Sequence, residues 1–170
     1  MRSYADYCKR DTFLGLLVYV HDIILAGNDA STCQVFKDYL HSCFRMKDLG
    51  LLKYFLGIEV ARGPKGLFMC QRKYALEIVD ECNLLGSNPV DSPIEENHKL
   101  ALADGDYIED ATQYHRLIRR LIYLTITHPK LSYVVHILSH FMPNPRREHF
   151  NATQRVLRYI KCNPTLGILL

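Results

Sequence analysis

The sequence has no hydrophobic run long enough to cross a bilayer. The longest run near its start covers residues 13–20 and leads directly into His21-Asp22, whereas a membrane helix needs about 20 apolar residues. No small-residue cleavage site follows this run, so no secretory signal is predicted. We therefore expect an intracellular protein, cytoplasmic or nuclear, without a membrane partner.

Cysteine pairs at metal-binding spacing are also lacking. The six cysteines are scattered without a C-x-x-C pair, which argues against both a zinc ribbon and a dense disulfide framework. His136 and His140 have the i, i+4 spacing of a metal-binding pair on a predicted helix, but no HExxH-type glutamate lies between them and no third ligand is obvious. The sequence by itself favours ordinary surface histidines over a functional metal site.

Acidic residues are nearly absent from the last third of the chain. Residues 112–170 hold nine Lys or Arg residues and one acid, a net charge of +8, whereas residues 1–111 hold twelve basic and seventeen acidic residues, a net charge of −5. A concentrated basic region is the electrostatic footprint expected of a nucleic-acid contact. The cations recur at helical spacing on two predicted helices, so the cations of each helix line one side of it. Such a row can neutralise the phosphates of a nucleic-acid backbone. The alternative is a solvated helix face without a partner. The predicted nucleic-acid-binding residues are Arg116, Arg119, Arg120, Arg155, Arg158 and Lys161.

Periodicity predicts the α+β fold class. Strands are expected at residues 52–61 and 67–71, where polarity alternates. Residues 1–12 lack a core-building period and are predicted to be an irregular lead-in, and the polar run 95–110 is predicted to be a surface linker. Helices are expected at about residues 31–43, 73–85, 111–127, 131–142 and 147–162. The first of these helices is expected to begin at a cap, Asn28 or Ser31, and to lay an apolar face that includes Val35 and Tyr39 on a sheet.

The stretch LGLLVYVHDIILAG, residues 14–27, is predicted to organise the chain. Two apolar runs flank the polar pair His21-Asp22, so each run is predicted to be a buried strand and the pair to be the tip of a tight hairpin. A carboxylate at such a tip is held rigidly and is presented as a metal ligand would be. The alternative is a simple polar turn between two strands.

Several segments resemble one family. Tyr19-Val20-His21-Asp22 resembles the Tyr-Val-Asp-Asp hairpin of the reverse transcriptase in the Pol polyprotein of copia-type LTR retrotransposons, with His21 where the family has its first Asp. FRMKDLGLLKYFLGIEV (44–60), the run at 66–93 and the run at 116–161 resemble successive segments of that polyprotein in the same order. The resemblance covers nearly the whole chain from Tyr4 onward. It implies a partial palm of antiparallel hairpins with packed helices (1–93), a polar linker (94–110) and a basic thumb- or connection-like helical bundle (111–170).

The resemblance also implies a chemistry, namely RNA-directed DNA polymerisation on an RNA/DNA template-primer duplex by two Mg²⁺ ions that carboxylates hold. The catalytic positions that it implies are Tyr19, His21 and Asp22, with Asp22 as the remaining metal ligand, and the upstream strand with another catalytic aspartate is absent from this sequence. Imidazole is a poor ligand for Mg²⁺. We therefore expect that Mg²⁺ binding and polymerase activity are lost. The alternatives are a non-catalytic nucleic-acid-binding module that uses the basic helices, and a degenerate transposon remnant without selected activity. Other segments of a Pol polyprotein are the further expected partners.

Overall fold

In the computed structural model, which describes residues 2–9 and 11–170, the chain forms two compact units, Met1–Leu52 and Lys53–Leu170. The described residues form antiparallel sheets and five α-helices, so the predicted α+β class is confirmed, and the fold is consistent with part of a reverse transcriptase. The three-part division at residues 93 and 110 follows functional regions of the family and stays a prediction. Within the described ranges no helix has the length and hydropathy that crossing a bilayer requires.

The first unit is built on a three-stranded antiparallel sheet in the order β1-β2-β3. Its strands are β1 (Arg2–Lys9), β2 (Thr12–Tyr19) and β3 (Asp22–Gly27). The hairpin predicted for residues 14–27 is confirmed, although its strands are mostly half-buried or exposed rather than buried. The irregular lead-in predicted for residues 1–12 was wrong, because β1 pairs along the whole of β2. The unpaired edge of a strand can hydrogen-bond to a further strand. Residues 2–9 therefore form a strand by pairing with β2, although their sequence lacks the alternation of apolar and polar residues that predicts one.

Helix α1 (Ala30–Cys43) follows the sheet, and its cap is Asp29 rather than either predicted residue. The Asp29 carboxylate accepts hydrogen bonds from Thr32 N at 2.8 Å and from Ser31 Oγ at 2.7 Å. Hydrogen bonds from the Thr32 and Ser31 side chains and from the Thr32 backbone lower the pKa of Asp29 to about 2. No residue of α1 is buried, and Val35 and Tyr39 are exposed. Phe36 and Leu40 of the predicted face are half-buried, and α1 contacts β3, so the predicted packing of this helix on the sheet is confirmed for part of the face.

The second unit contains a four-stranded antiparallel sheet in the order β4-β5-β6-β7. The strands are β4 (Tyr54–Phe55), β5 (Ile58–Gly63), β6 (Gly66–Cys70) and β7 (Gly167–Leu169). The single strand predicted for residues 52–61 is instead a hairpin, because Leu56 and Gly57 both have positive φ, 50° and 79°, as a two-residue type I′ turn requires. Strand β7 joins this sheet from the end of the chain, where the sequence pattern predicted no strand.

Four helices form the core of the second unit. They are α2 (Arg72–Glu81), α3 (Thr112–Leu124), α4 (Ser132–His140) and α5 (Arg147–Cys162). Their apolar stripes pack on one another, and α5 contacts each of the other three, so removal of this apolar area from water is the main stabilising term. The fully enclosed apolar side chains include Ile78, Tyr114, Leu117, Ile118, Leu121, Leu124, Leu138, Leu157 and Ile160.

The polar segment 94–110 is anchored to the start of α5. Leu100 is buried, and its carbonyl lies 3.0 Å from His149 Nε2. Gly105 N donates to Glu148 Oε1 at 2.9 Å, and Arg146 Nη1 donates to the Gly105 carbonyl at 2.7 Å. A Cβ at residue 105 would collide with the Glu148 carboxylate, which is the end of a flexible side chain, so a larger residue here would displace that carboxylate from the Gly105 amide. Apart from Leu100, the residues of this segment are exposed or half-buried, so it remains a surface segment, and these contacts fix it against α5.

A small polar cluster lies buried within the second unit. Thr127 Oγ1 donates to Gln71 Oε1 at 2.9 Å and lies 3.1 Å from His128 Nδ1. His128 is 2% exposed, and its Nε2 has no partner among the described residues. Burial lowers the pKa of His128 below its ordinary value of 6.5, with a smaller opposing contribution from the Asn163 backbone.

The lowered pKa of His128 predicts a pH dependence of stability. Between the ordinary pKa of 6.5 and the lower folded value, the unfolded chain binds a proton that the folded chain does not. The free energy of unfolding therefore falls as pH falls below about 6.5, by at most about 1.4 kcal/mol per pH unit for one proton. We expect His128→Asn to make this fall shallower in urea denaturation at pH 7.5 and 5.5. An unchanged slope in His128→Asn would contradict the assignment.

Candidate catalytic hairpin and basic surface

The predicted catalytic residues lie at the tip of the β2–β3 hairpin. Tyr19 and Asp22 are opposite each other in the register, so the connecting loop is Val20-His21 and not His21-Asp22 as predicted. Asp22 is instead the first residue of β3. The difference of one residue places the Asp22 side chain on the end of a strand, where the sheet limits its movement.

Val20 has an unfavourable backbone conformation in this loop. Its φ is +52°, and a β-branched residue is rarely found in this region because its Cβ crowds the backbone. The side chain is also exposed, at 62%, so no burial of apolar surface offsets the cost. Strained residues of this kind concentrate at functional sites.

The tip is accessible, and its donor atoms define what it can bind. Val20, His21 and Asp22 are exposed and Tyr19 is half-buried. His21 and Asp22 make no side-chain hydrogen bond or ion pair with any described residue. Magnesium prefers oxygen ligands, and this tip offers one carboxylate beside an imidazole. The donor set therefore does not fit a pair of Mg²⁺ ions, and among the described residues no group of three or more His, Cys, Asp or Glu side chains is placed to hold a metal.

The three predicted basic residues of α3 have different surroundings. Arg120 forms an ion pair with Glu81 of α2, and its guanidinium carbon lies 5.1 Å from the centre of the Tyr74 ring. Its side chain is only 18% exposed. Arg116 and Arg119 are exposed and form no hydrogen bond or ion pair with a described residue. The structure therefore separates one cation that stabilises the contact between helices from two that face solvent.

The three predicted basic residues of α5 are divided in the same way. Arg155 Nη1 donates to Glu95 Oε1 at 3.1 Å, and Lys161 Nζ donates to the Ser87 carbonyl at 2.6 Å. Arg158 is half-buried and has no such partner in the described chain. The spacing of these residues predicted one continuous row of free cations along α5. In the structure, the segment that precedes α3 contacts two of them, Arg155 and Lys161.

A cleft of about 600 Å³ lies between the segment around residues 93–104 and α5. Both Arg155 and Arg158 line it, together with apolar residues such as Leu100 and Leu102. Three buried polar atoms on residues that line the cleft have no hydrogen-bond partner among the described residues, namely His98 Nδ1, Glu148 Oε2 and Arg155 Nε. Sequence reasoning missed this cleft, because nothing in the polar composition of residues 94–110 indicated that they dock on a helix.

The order of elements, the tight hairpin with an aspartate at its tip and the basic helices that follow agree with the class of protein that the segments resemble. The model of the family described as "Reverse transcriptase (RNA-dependent DNA polymerase)" matches residues 3–96. This is more than half of the chain, which therefore belongs to the reverse transcriptase (RNA-dependent DNA polymerase) family.

The relatives that the chain resembles include Pol polyproteins of retrotransposons. The chain is 41% identical over 155 residues to the Retrovirus-related Pol polyprotein from transposon RE1 of Arabidopsis thaliana, which covers 91% of this chain and 11% of the relative. It is 28% identical over 176 residues to the corresponding polyprotein from transposon TNT 1-94 of Nicotiana tabacum, 95% of this chain and 13% of the relative. It is 37% identical over 146 residues to an uncharacterized mitochondrial protein of Arabidopsis thaliana, 86% of this chain and 60% of the relative.

The resemblance to copia-type Pol polyproteins is thereby confirmed. The chain spans about a tenth of the length of these two polyproteins, and it is similar to a reverse transcriptase-like part of them. No solved structure matches it.

The positive φ of Val20 predicts a stabilising substitution. Val20→Gly should strengthen the β2–β3 hairpin by roughly 0.5–1 kcal/mol, because glycine removes the Cβ crowding but is more flexible in the unfolded chain. We expect slower hydrogen exchange of the amides that pair β2 with β3. Val18→Gly, two residues earlier within β2, should instead speed this exchange. Faster exchange in Val20→Gly would show that the valine conformation is not strained.

Proposed function

We propose that this chain is a reverse transcriptase fragment that does not polymerise and that binds a template-primer duplex through the basic helices of its second unit. The proposal has two separable parts, one about the hairpin tip and one about the helices. The second part rests on one observation, that Arg116 and Arg119 are exposed on α3 without a hydrogen-bonding or ion-pairing partner among the described residues.

The loss of polymerase activity follows from the donor atoms at the tip. Reverse transcriptases use divalent metals, which lower the barrier by stabilising the attacking and leaving oxygens together. The charge of such a metal pair has to be balanced by carboxylates, and His21 contributes a neutral nitrogen ligand where the family has an aspartate. A hard cation gains little from imidazole, so Asp22 alone does not assemble the pair.

Primer extension tests this part of the proposal. The purified chain should extend a labelled primer on an RNA template no further than a no-protein control, with either Mg²⁺ or Mn²⁺. The variants His21→Asp and Asp22→Ala report on the tip itself. Extension by the natural chain that is lost in Asp22→Ala would contradict the proposal, because it would show that one carboxylate supports the chemistry.

Duplex binding follows from charge and exposure. Residues 112–170 carry a net charge of +8, and each cation that meets a phosphate releases condensed counterions. The exposed pair Arg116 and Arg119 is three residues apart on one helix, so both side chains can reach one nucleic-acid backbone. Arg158 is the third predicted residue that has neither a hydrogen-bonding nor an ion-pairing side-chain partner among the described residues. By contrast, Arg120, Arg155 and Lys161 would have to exchange an existing contact for a phosphate.

Fluorescence anisotropy with a labelled RNA/DNA template-primer duplex tests this division. The double variant Arg116→Ala/Arg119→Ala should weaken binding and reduce the slope of log K against log salt by about 1.8, because each lost phosphate contact contributes roughly 0.9. The control is Lys130→Ala/Arg147→Ala, which removes the same charge from two exposed positions of the same unit.

The control variant should keep most of the affinity. An equal loss in both double variants would mean that binding depends on net charge rather than on this surface of α3. Absence of binding by the natural chain at low salt would favour the remaining alternative, a remnant without a selected activity.

A further inference from the structure

Two histidine side chains meet on the last turn of α4. The ring centres of His136 and His140 are 4.5 Å apart and the ring planes are nearly perpendicular, at 82°. Both residues are exposed, so the contact is not imposed by burial. The i, i+4 spacing brings the two imidazoles together on one face of the helix.

A hydrogen bond selects the tautomer of one neutral ring. His140 Nδ1 lies 2.9 Å from the His136 carbonyl oxygen, and a carbonyl oxygen only accepts hydrogen bonds. Nδ1 of the neutral imidazole therefore carries the proton, and Nε2 keeps its lone pair. The same arrangement orients histidines that bind metals, where one ring nitrogen donates to a carbonyl and the other binds the ion.

The position of the pair on the helix also favours a cation. His140 is the last residue of α4, and the unpaired carbonyl groups at the end of a helix create a region of partial negative charge. The His136 ring forms no hydrogen bond with a described residue, so its nitrogens are available to an ion. The alternative is a simple edge-to-face ring contact, which requires no ligand.

We propose that His136 and His140 form a surface site for one divalent transition-metal ion of the class that imidazole suits, Ni²⁺, Cu²⁺ or Zn²⁺. Each ring supplies one nitrogen, and water completes the coordination, because no third His, Cys, Asp or Glu is placed beside the pair in the part of the chain that the structure describes. The site uses neither Asp22 nor the arginines of the proposed duplex-binding surface. It differs from the tip in chemistry too, since its nitrogen ligands disfavour Mg²⁺.

Isothermal titration of the untagged full chain with Ni²⁺ tests the site. The exposed thiols, which include Cys8, Cys43 and Cys162, are first alkylated so that they do not compete for the ion. We expect one tight site in the natural chain. His136→Ala and His140→Ala should each weaken that site by about tenfold or more, because either substitution removes the high effective concentration of the second ligand.

His41→Ala is the matched control. The His41 ring is exposed, and its Nδ1 lies 3.0 Å from the Met46 carbonyl oxygen, so it shares the orienting hydrogen bond but lacks a second imidazole. This variant should bind Ni²⁺ as the natural chain does. Circular dichroism of each variant checks that the helices are retained.

Two outcomes would overturn the proposal. One is Ni²⁺ affinity that survives in both His136→Ala and His140→Ala with helices intact. The other is a loss in His41→Ala equal to the loss in those variants, which would mean that isolated imidazoles account for the binding. As a second readout, Ni²⁺ should raise the Tm of the natural chain but not of His140→Ala, since an ion bound across one turn stabilises the folded state alone.

Discussion

The second unit depends on the burial of one face of α5. Val156, Leu157 and Ile160 are fully enclosed, and α5 contacts α2, α3 and α4. Since this helix occupies the centre of the unit, its polar edges face the segments that run past it. Glu148 holds Gly105, Arg155 holds Glu95 and Lys161 holds the Ser87 carbonyl. A helix that begins as a core element therefore also determines where the preceding polar segment lies.

This constraint explains why a run of cations is not a uniform binding surface. An arginine beside a packed helix can pair with a carboxylate that the fold brings near, as Arg120 does with Glu81, and such a cation would have to break that pair to meet a phosphate. An exposed arginine without a partner can bind a phosphate without first breaking an ion pair. The proposed duplex-binding surface is therefore smaller than the charge pattern suggests, and it is centred on Arg116 and Arg119 with Arg158 as a further contributor.

In the hairpin of the first unit, the backbone geometry and the metal-binding chemistry depend on different groups. Its register, its two-residue loop and the positive φ at Val20 depend on backbone pairing, which an imidazole at residue 21 does not disturb. Mg²⁺ binding depends on side-chain oxygens, and the proposed loss of polymerase activity rests on an imidazole in place of one of them. A hairpin can thus keep its shape after the side chain that its chemistry needed has been replaced. The His136–His140 pair is the opposite case, in which the proposed chemistry of two surface side chains rests on their spacing, their ring contact and one hydrogen bond.

The sequence by itself determined the family, the α+β class, the β2–β3 hairpin and the approximate positions of the helices, because these depend on local periodicity and on residues adjacent in the chain. Only the tertiary structure decided the pairing of β1 with β2, the return of β7 to the sheet, the docking of residues 94–110 and the division of the cations into paired and unpaired. Each of these is a contact between residues far apart in the chain. A local sequence pattern indicates which side of a helix or strand is apolar. It does not indicate which strand edge or carboxylate from a distant part of the chain will contact that helix or strand.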